Sequence, residues 1–299
     1  MELLKRVLTA VVLIPLVLLL ALRAPVPVLA FVAGVVALLA IRELLKLSEA
    51  YGVQPLRAPV LVFAGLFFVV IAIRPGATDL LSTAGFAYLA SAAAMLAPFL
   101  LLSIGMRRDA LASAFPAAMV STFAFVYIAL PMASLLQMRE QWQGSFYLLY
   151  LLLLVWAGDI FAYFVGKWLG THRMSPRVSP KKTWEGAAAS VIASVAVGML
   201  MFHYARPISS ALLQARLIEQ HDGIFNEQIA LGPVIALSIV LNIAAQLGDL
   251  VESLIKRGAG VKDSGAILPG HGGMFDRIDA LLFAAPVLWC YMAWRVMMQ

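Results

Sequence analysis

Asp249 and Asp276 stand near the ends of two consecutive apolar runs, with Lys256, Arg257 and Lys262 between them and Arg277 beside the second. Paired carboxylates on facing helix ends suit a hard divalent cation. Magnesium in particular takes one or two protein carboxylates together with water and substrate phosphates. The cationic side chains match phosphate oxygens. Cation, carboxylates and basic clamps are together what phosphoryl chemistry needs. Between the two aspartates runs GAGVKDSGAILPGHGG, residues 258–273, whose six glycines allow a backbone to approach a ligand closely. His271, set between glycines, is a candidate phosphate donor or acid. No histidine–cysteine set supports zinc, and no serine–histidine pair supports covalent catalysis.

The run that carries Asp249 has a polar stripe. Asn242, Gln246, Asp249, Ser253 and Lys256 recur every three or four residues, so they share one face of a helix that is otherwise apolar. Such a stripe cannot face lipid, and it predicts a polar cavity. Glu252 lies on its flank.

A second cluster precedes it in the chain. WAGDIFAYFVGKWLG, residues 156–170, places Asp159 well inside an apolar run. Asp159, Tyr163 and Lys167 are spaced four apart and stack on one helical face. A carboxylate there must turn inward and find a partner, as a functional group or in a structural pair with Lys167. Gly166 and Gly170 form a small-xxx-small pair, a sign of close helix packing. The following THRMSPRVSPKKTWEG, residues 171–186, reads as a basic loop in which Ser179 caps the next helix and Pro180 is its first residue. Lys181 and Lys182 then fall on the first turn, where the macrodipole favours anions over cations. Free backbone N–H groups beside two ammonium groups predict a phosphate site.

The elements that position these groups follow from composition. The chain has 299 residues, 63% hydrophobic and 13% charged, with a mean hydropathy of +0.93. A soluble domain is about half apolar and about a quarter charged, so the bilayer must be the solvent here. The net charge of +6 does not indicate nucleic acid, because the basic residues lie in short loops between apolar runs. The single cysteine, Cys290, makes no internal disulfide and reads as packing. Nine apolar segments are predicted, at about 7–22, 26–47, 58–73, 80–104, 110–138, 145–169, 185–204, 229–255 and 278–298. The fold class is therefore all-α, a polytopic membrane protein with about nine transmembrane helices. Alternating the loops puts sixteen of the 22 Lys and Arg, and every lysine, on the side of the N-terminus. That side is predicted to be cytoplasmic. Residues 1–144 read as packing and anchoring helices, with no functional signal of their own. Residues 145–299 read as the catalytic part. The polar stretch 205–228 reads as an external loop with a short surface helix.

Over the stretch from Ser253 to Asp279 the chain closely resembles the phosphatidate cytidylyltransferase (CDP-diacylglycerol synthase) family. The family signature runs S-x-apolar-K-R, four residues, K-D-x-small, two residues, apolar-P-x-H-G-G, apolar-x-D-R-apolar-D. Ser253, Lys256, Arg257, Lys262, Asp263, Gly265, Leu268, Pro269, His271, Gly272, Gly273, Met274, Asp276, Arg277, Ile278 and Asp279 fill it over 27 positions without a departure. SPKKTWEG at 179–186 and Asp159 with Tyr163 also look like that family, whereas the N-terminal half resembles it only in being hydrophobic. The likeness implies a homodimer in the cell membrane with an active site facing the cytoplasm. It also implies a two-metal centre of Mg²⁺ with a monovalent partner such as K⁺, and by position Asp249 and Asp276 match its metal ligands. The expected reaction is cytidylyl transfer from CTP to phosphatidate. Catalysis is expected at Asp249, Asp276, Lys256, Arg277 and His271, and substrate binding at Asp159, Ser179, Lys181, Lys182, Arg257, Lys262 and Asp263. Two rival functions are a CTP-dependent polyprenol or dolichol kinase and a secondary transporter of a small anion. No internal repeat supports the transporter.

Overall fold

The computed structural model describes residues 2–73, 81–218, 230–267 and 272–298, with the backbone alone for 2–12. Its helices are α1 (Glu2–Arg23), α2 (Val26–Glu49), α3 (Arg57–Ile73), α4 (Thr83–Gly105), α5 (Leu111–Ala124), α6 (Leu130–Glu140), α7 (Gly144–Trp168), α8 (Trp184–His203), α9 (Ala205–Gln214), α10 (Leu231–Gly258) and α11 (Phe275–Met297). A π-helical turn, Phe125–Ala129, joins α5 to α6. Pro131 has no N–H for the carbonyl of Tyr127 and its ring crowds that turn, so the helix widens just ahead of it. Among the described residues the only sheet is an antiparallel hairpin of β1 (Arg173–Ser175) and β2 (Ser179–Thr183). Each predicted apolar segment coincides with a helix. Among the described residues seven helices are long and apolar enough to cross a membrane, α5 to α6 counting as one, and Leu13–Arg23 and Arg57–Ile73 are shorter apolar helices. The chain is an all-α polytopic membrane protein.

The chain divides into two compact units. The first holds Pro25–Glu140 and, from much later in the sequence, Ile255–Ile278. In it α2 turns Ala30, Ala33, Ala37, Ala40, Ile41, Leu44 and Leu45 inward. Small residues let α3 come close: a Cβ on Gly34 would lie 3.1 Å from the Phe68 side chain. Phe125 of the π turn meets the edges of Phe63 and Phe67, with ring centroids 4.8 and 5.5 Å away.

The second unit holds Gln141–Leu254 and Asp279–Gln299. Here α7 and α8 pack through glycine and serine. A Cβ at Gly186 would stand 2.8 Å from the Ala162 carbonyl oxygen and 3.2 Å from Gly166 Cα. Deeper in the same interface Asn242 donates to Ser190 Oγ at 2.9 Å and Ser194 Oγ at 2.8 Å. Buried polar groups must be paired in this way where no water reaches them. Gly186→Val is expected to force α7 and α8 apart and lower the melting midpoint of the detergent-purified protein, by about 2 kcal/mol of stability; an unchanged midpoint contradicts the packing. The stretch after α8 carries the expected short helix, α9, while residues 219–228 of that stretch lie outside the described residues.

Candidate active site

The hairpin that follows α7 presents the basic residues, and it corrects one expectation. Ser179 does not cap a helix. It opens β2 and pairs with Ser175, while Arg173 pairs with Thr183. The cap is Thr183, extended at φ −127°, whose Oγ1 accepts from Gly186 N at 3.2 Å. Lys181 and Lys182 therefore sit on a strand that runs into the helix, and not on its first turn. The cause is pairing: the backbone groups around Ser179 are taken by β1, and the chain is free to coil only after Thr183. Glu185 does occupy the first turn, where an anion belongs. It accepts from the backbone N of His172 at 3.2 Å and from Thr171 Oγ1 at 2.7 Å, which clasps the hairpin to α8.

This arrangement shapes an open cleft of about 590 Å³ in the second unit. Asp159, Tyr163 and Lys167 line it from α7, Arg173 from β1, Lys181 and Lys182 from β2, Ser190 from α8, and Gln246 and Asp249 from α10. Lys167 lies 5.9 Å from the centre of the Tyr163 ring, so the expected stacking along α7 is present. Lys182 Nζ is 2.7 Å from Asp249 Oδ2. Four cations and two carboxylates around a cleft of this size suit a polyanion with a counter-ion. The predicted polar stripe of α10 divides in two. Asn242 is buried among serines, and Gln246 and Asp249 face the cleft, Gln246 donating to Asn242 Oδ1 at 2.5 Å.

Asp249 also has acidic neighbours. It, Glu252 and Asp279 each offer an oxygen, all within 4.8 Å of one another. Glu252 is buried, and Gly248 lets the Asp279 backbone close in, since a Cβ there would strike the Asp279 carbonyl. Three carboxylates so near each other repel unless a cation or protons intervene. Oxygen-only donors at this spacing fit magnesium chemistry, so the residues present fit a divalent ion.

In the first unit, Asp276 opens α11 and is nearly enclosed, with 5% of its side chain exposed. It accepts from Lys256 Nζ at 2.6 Å, Ser264 N at 2.9 Å and Gly273 N at 2.7 Å, and its Oδ2 is 3.0 Å from Ser264 Oγ. Gly272 is left-handed at φ 81°, which brings the chain back toward this carboxylate. Arg257, Lys262, Asp263 and Arg277 are exposed, and Arg257 donates to the Val261 carbonyl at 3.1 Å. His271 lies outside the described residues. Of the predicted site residues, Asp159, Lys181, Lys182 and Asp249 thus share one cleft, and Lys256 and Asp276 form an ion pair.

Sequence reasoning passed over Glu43. It is buried on α2 and accepts from Ser264 Oγ at 3.0 Å, Met274 N at 3.1 Å and Phe275 N at 2.8 Å. A signal was present: Glu43 stands three residues after Ala40, in phase with the buried Ala33, Ala37 and Ala40.

Residues 4–294 match the profile of the Cytidylyltransferase family. Among curated proteins, the chain is similar to a phosphatidate cytidylyltransferase of Haemophilus influenzae, at 36% identity over 170 residues, 55% of this chain and 54% of that protein. It is 38% identical to one from Staphylococcus saprophyticus over 165 residues, 55% of each chain. A third, from Staphylococcus haemolyticus, is 32% identical over 256 residues, 86% of each chain. In the first two matches the chain spans about half the length of its relative.

Proposed function

Because this chain belongs to the cytidylyltransferase family, we propose that it makes CDP-diacylglycerol and pyrophosphate from CTP and phosphatidate. The observation that carries the reading is the Lys182–Asp249 pair in a cleft ringed by Lys167, Arg173 and Lys181. Phosphatidate is a phosphate monoester, largely dianionic near neutral pH because its second pKa is about 6. One of its oxygens forms the new bond to the α-phosphorus of CTP, and the bond from that phosphorus to the bridging oxygen of pyrophosphate breaks. The chain supplies no nucleophile.

Lys167, Arg173, Lys181 and Lys182 hold the triphosphate, and Ser179 and Asp159 contribute to its subsite. Asp249, Glu252 and Asp279 are the carboxylates that would hold Mg²⁺, with Asp276 the further ligand that the family resemblance implies. Held by these carboxylates, Mg²⁺ would supply positive charge to offset the repulsion of two polyanions and orient the reacting oxygens. Lys256, Arg257, Lys262 and Arg277 take the phosphatidate phosphate and the charge that grows on pyrophosphate, with Asp263 and His271 beside them in the signature. The excess of Lys and Arg in the loops on the N-terminal side supports a cytoplasmic site in the inner membrane. A monovalent second cation and a homodimer complete the proposal, both implied by the resemblance.

Lys182→Ala is expected to raise the KM for CTP about tenfold, since a charge-assisted phosphate contact contributes about 1.5 kcal/mol or more. Steady-state kinetics of pyrophosphate release check this. Release that needs both CTP and phosphatidate supports the reading. Release of CDP in its place, with phosphate on a polyprenol, indicates the kinase, and uptake of an anion into liposomes without turnover indicates the transporter.

A further inference from the structure

We propose that Glu43 is a positioning residue for cytidylyl transfer: from α2 it fastens the loop of the signature to the start of α11, and so fixes Asp276 and Lys256. The inference rests on the function proposed above. Its basis is a buried carboxylate with three donors and no cation among them. Glu43 is 6% exposed. Its Oε1 accepts from Met274 N at 3.1 Å, and its Oε2 accepts from Phe275 N at 2.8 Å and from the Ser264 hydroxyl at 3.0 Å.

Two of those donors stand at the N-terminus of α11, where backbone N–H groups have no partner within the helix and the dipole favours an anion. A helix usually meets that need with a side chain from its own first turn or cap. Here the acceptor comes from 231 and 232 positions away. The same hydroxyl of Ser264 that serves Glu43 is 3.0 Å from Asp276 Oδ2. One proton lies between two carboxylates, so a shift of Glu43 is felt at Asp276 through a single side chain. Asp276 in turn holds Lys256 at 2.6 Å.

The glycines of the loop give a second, independent indication. A Cβ at Gly265 would stand 2.5 Å from Glu43 Oε1, and one at Gly273 would strike both Glu43 Oε2 and Ser264 Oγ. At these two positions the close approach is to the carboxylate of Glu43. Tyr51, just past α2, secures the other end of the loop by donating its hydroxyl to the Ile255 carbonyl at 2.7 Å, and Gly258 leaves room for its ring. The segment 43–51 thus holds both ends of the stretch that runs from Lys256 to Asp276.

The test uses the full chain purified in detergent, with Glu43→Ala and Glu43→Gln. Glutamine keeps one acceptor oxygen, for Met274 N or for Phe275 N, and turns its amide hydrogens toward the other. Glu43→Ala is expected to lower kcat about 10- to 100-fold, the scale of a small misplacement of reacting groups. The KM for CTP should stay within about twofold, because a positioning residue alters reacting geometry and not the nucleotide contacts. Hydrogen exchange at the amides of 273–276 should speed up, and Glu43→Gln, which keeps one of the two acceptors, should give a kcat between those of Glu43→Ala and wild type. Wild-type kcat in Glu43→Ala overturns the inference. So does a loss that is as deep with glutamine as with alanine and that follows the melting midpoint of the whole protein. Wild-type protein with no cytidylyl transfer overturns the proposed reaction instead, and the exchange at 273–276 then decides the tether by itself.

Discussion

Asp249→Asn is expected to lower CDP-diacylglycerol formation by about 10³-fold or more, while the protein stays in the membrane at wild-type abundance. Asparagine preserves the shape but removes a charge that faces the cleft and sits with Glu252 and Asp279. A metal held there would contribute several kcal/mol of charge stabilisation, and each ~1.4 kcal/mol is about one decade of rate. The fold should tolerate the change, because the Asp249 side chain is 37% exposed and its partner Lys182 can turn to water. Turnover and membrane abundance, measured on the same preparation, check both halves. Wild-type turnover refutes Asp249 as a metal ligand.

Asp276→Asn should fail differently. Its carboxylate and the Lys256 ammonium are 5% and 11% exposed. Removing one member of a buried pair leaves the other charge without compensation, at a cost of about 3 kcal/mol or more. The asparagine amide would also point hydrogens at the N–H groups of Ser264 or Gly273, which now find an acceptor. We expect activity to fall about 10³-fold, together with a lower melting midpoint and reduced abundance, which Asp249→Asn does not show. Adding Lys256→Met to Asp276→Asn should recover much of the midpoint and none of the activity. A midpoint equal to wild type in Asp276→Asn contradicts the buried pair.

The helices were legible because length and hydropathy alone determine what can lie in a bilayer. The segment expected at 185–204 is Trp184–His203, and that at 26–47 is Val26–Glu49. The basic stretch after α7 was half legible. Serine followed by proline is a helix start by local preference, yet the same pair opens β2, because pairing with Arg173–Ser175 outweighs a preference of about 1 kcal/mol. The polar stripe on α10 does reach a cleft, but spacing could not separate Asn242, which binds Ser190 and Ser194, from Gln246 and Asp249, which line that cleft. Glu43 was not read at all. Its partners are more than 220 residues away, and its own neighbourhood shows only two glutamates, Glu43 and Glu49, near the end of an apolar helix. The phase of Glu43 with Ala33, Ala37 and Ala40 marks it as buried, but contacts that close over such separations leave no local trace of their partners.

The proposed reaction cleaves the bond between the α-phosphorus of CTP and its pyrophosphate. Purified protein, phosphatidate vesicles and Mg²⁺ should be incubated in parallel with CTP labelled on the α- or the γ-phosphorus, and the lipid extracted. The account predicts α-label in the lipid and γ-label in released pyrophosphate, in equal molar amounts. Label from the γ-phosphorus in lipid, or no label from either, would contradict it.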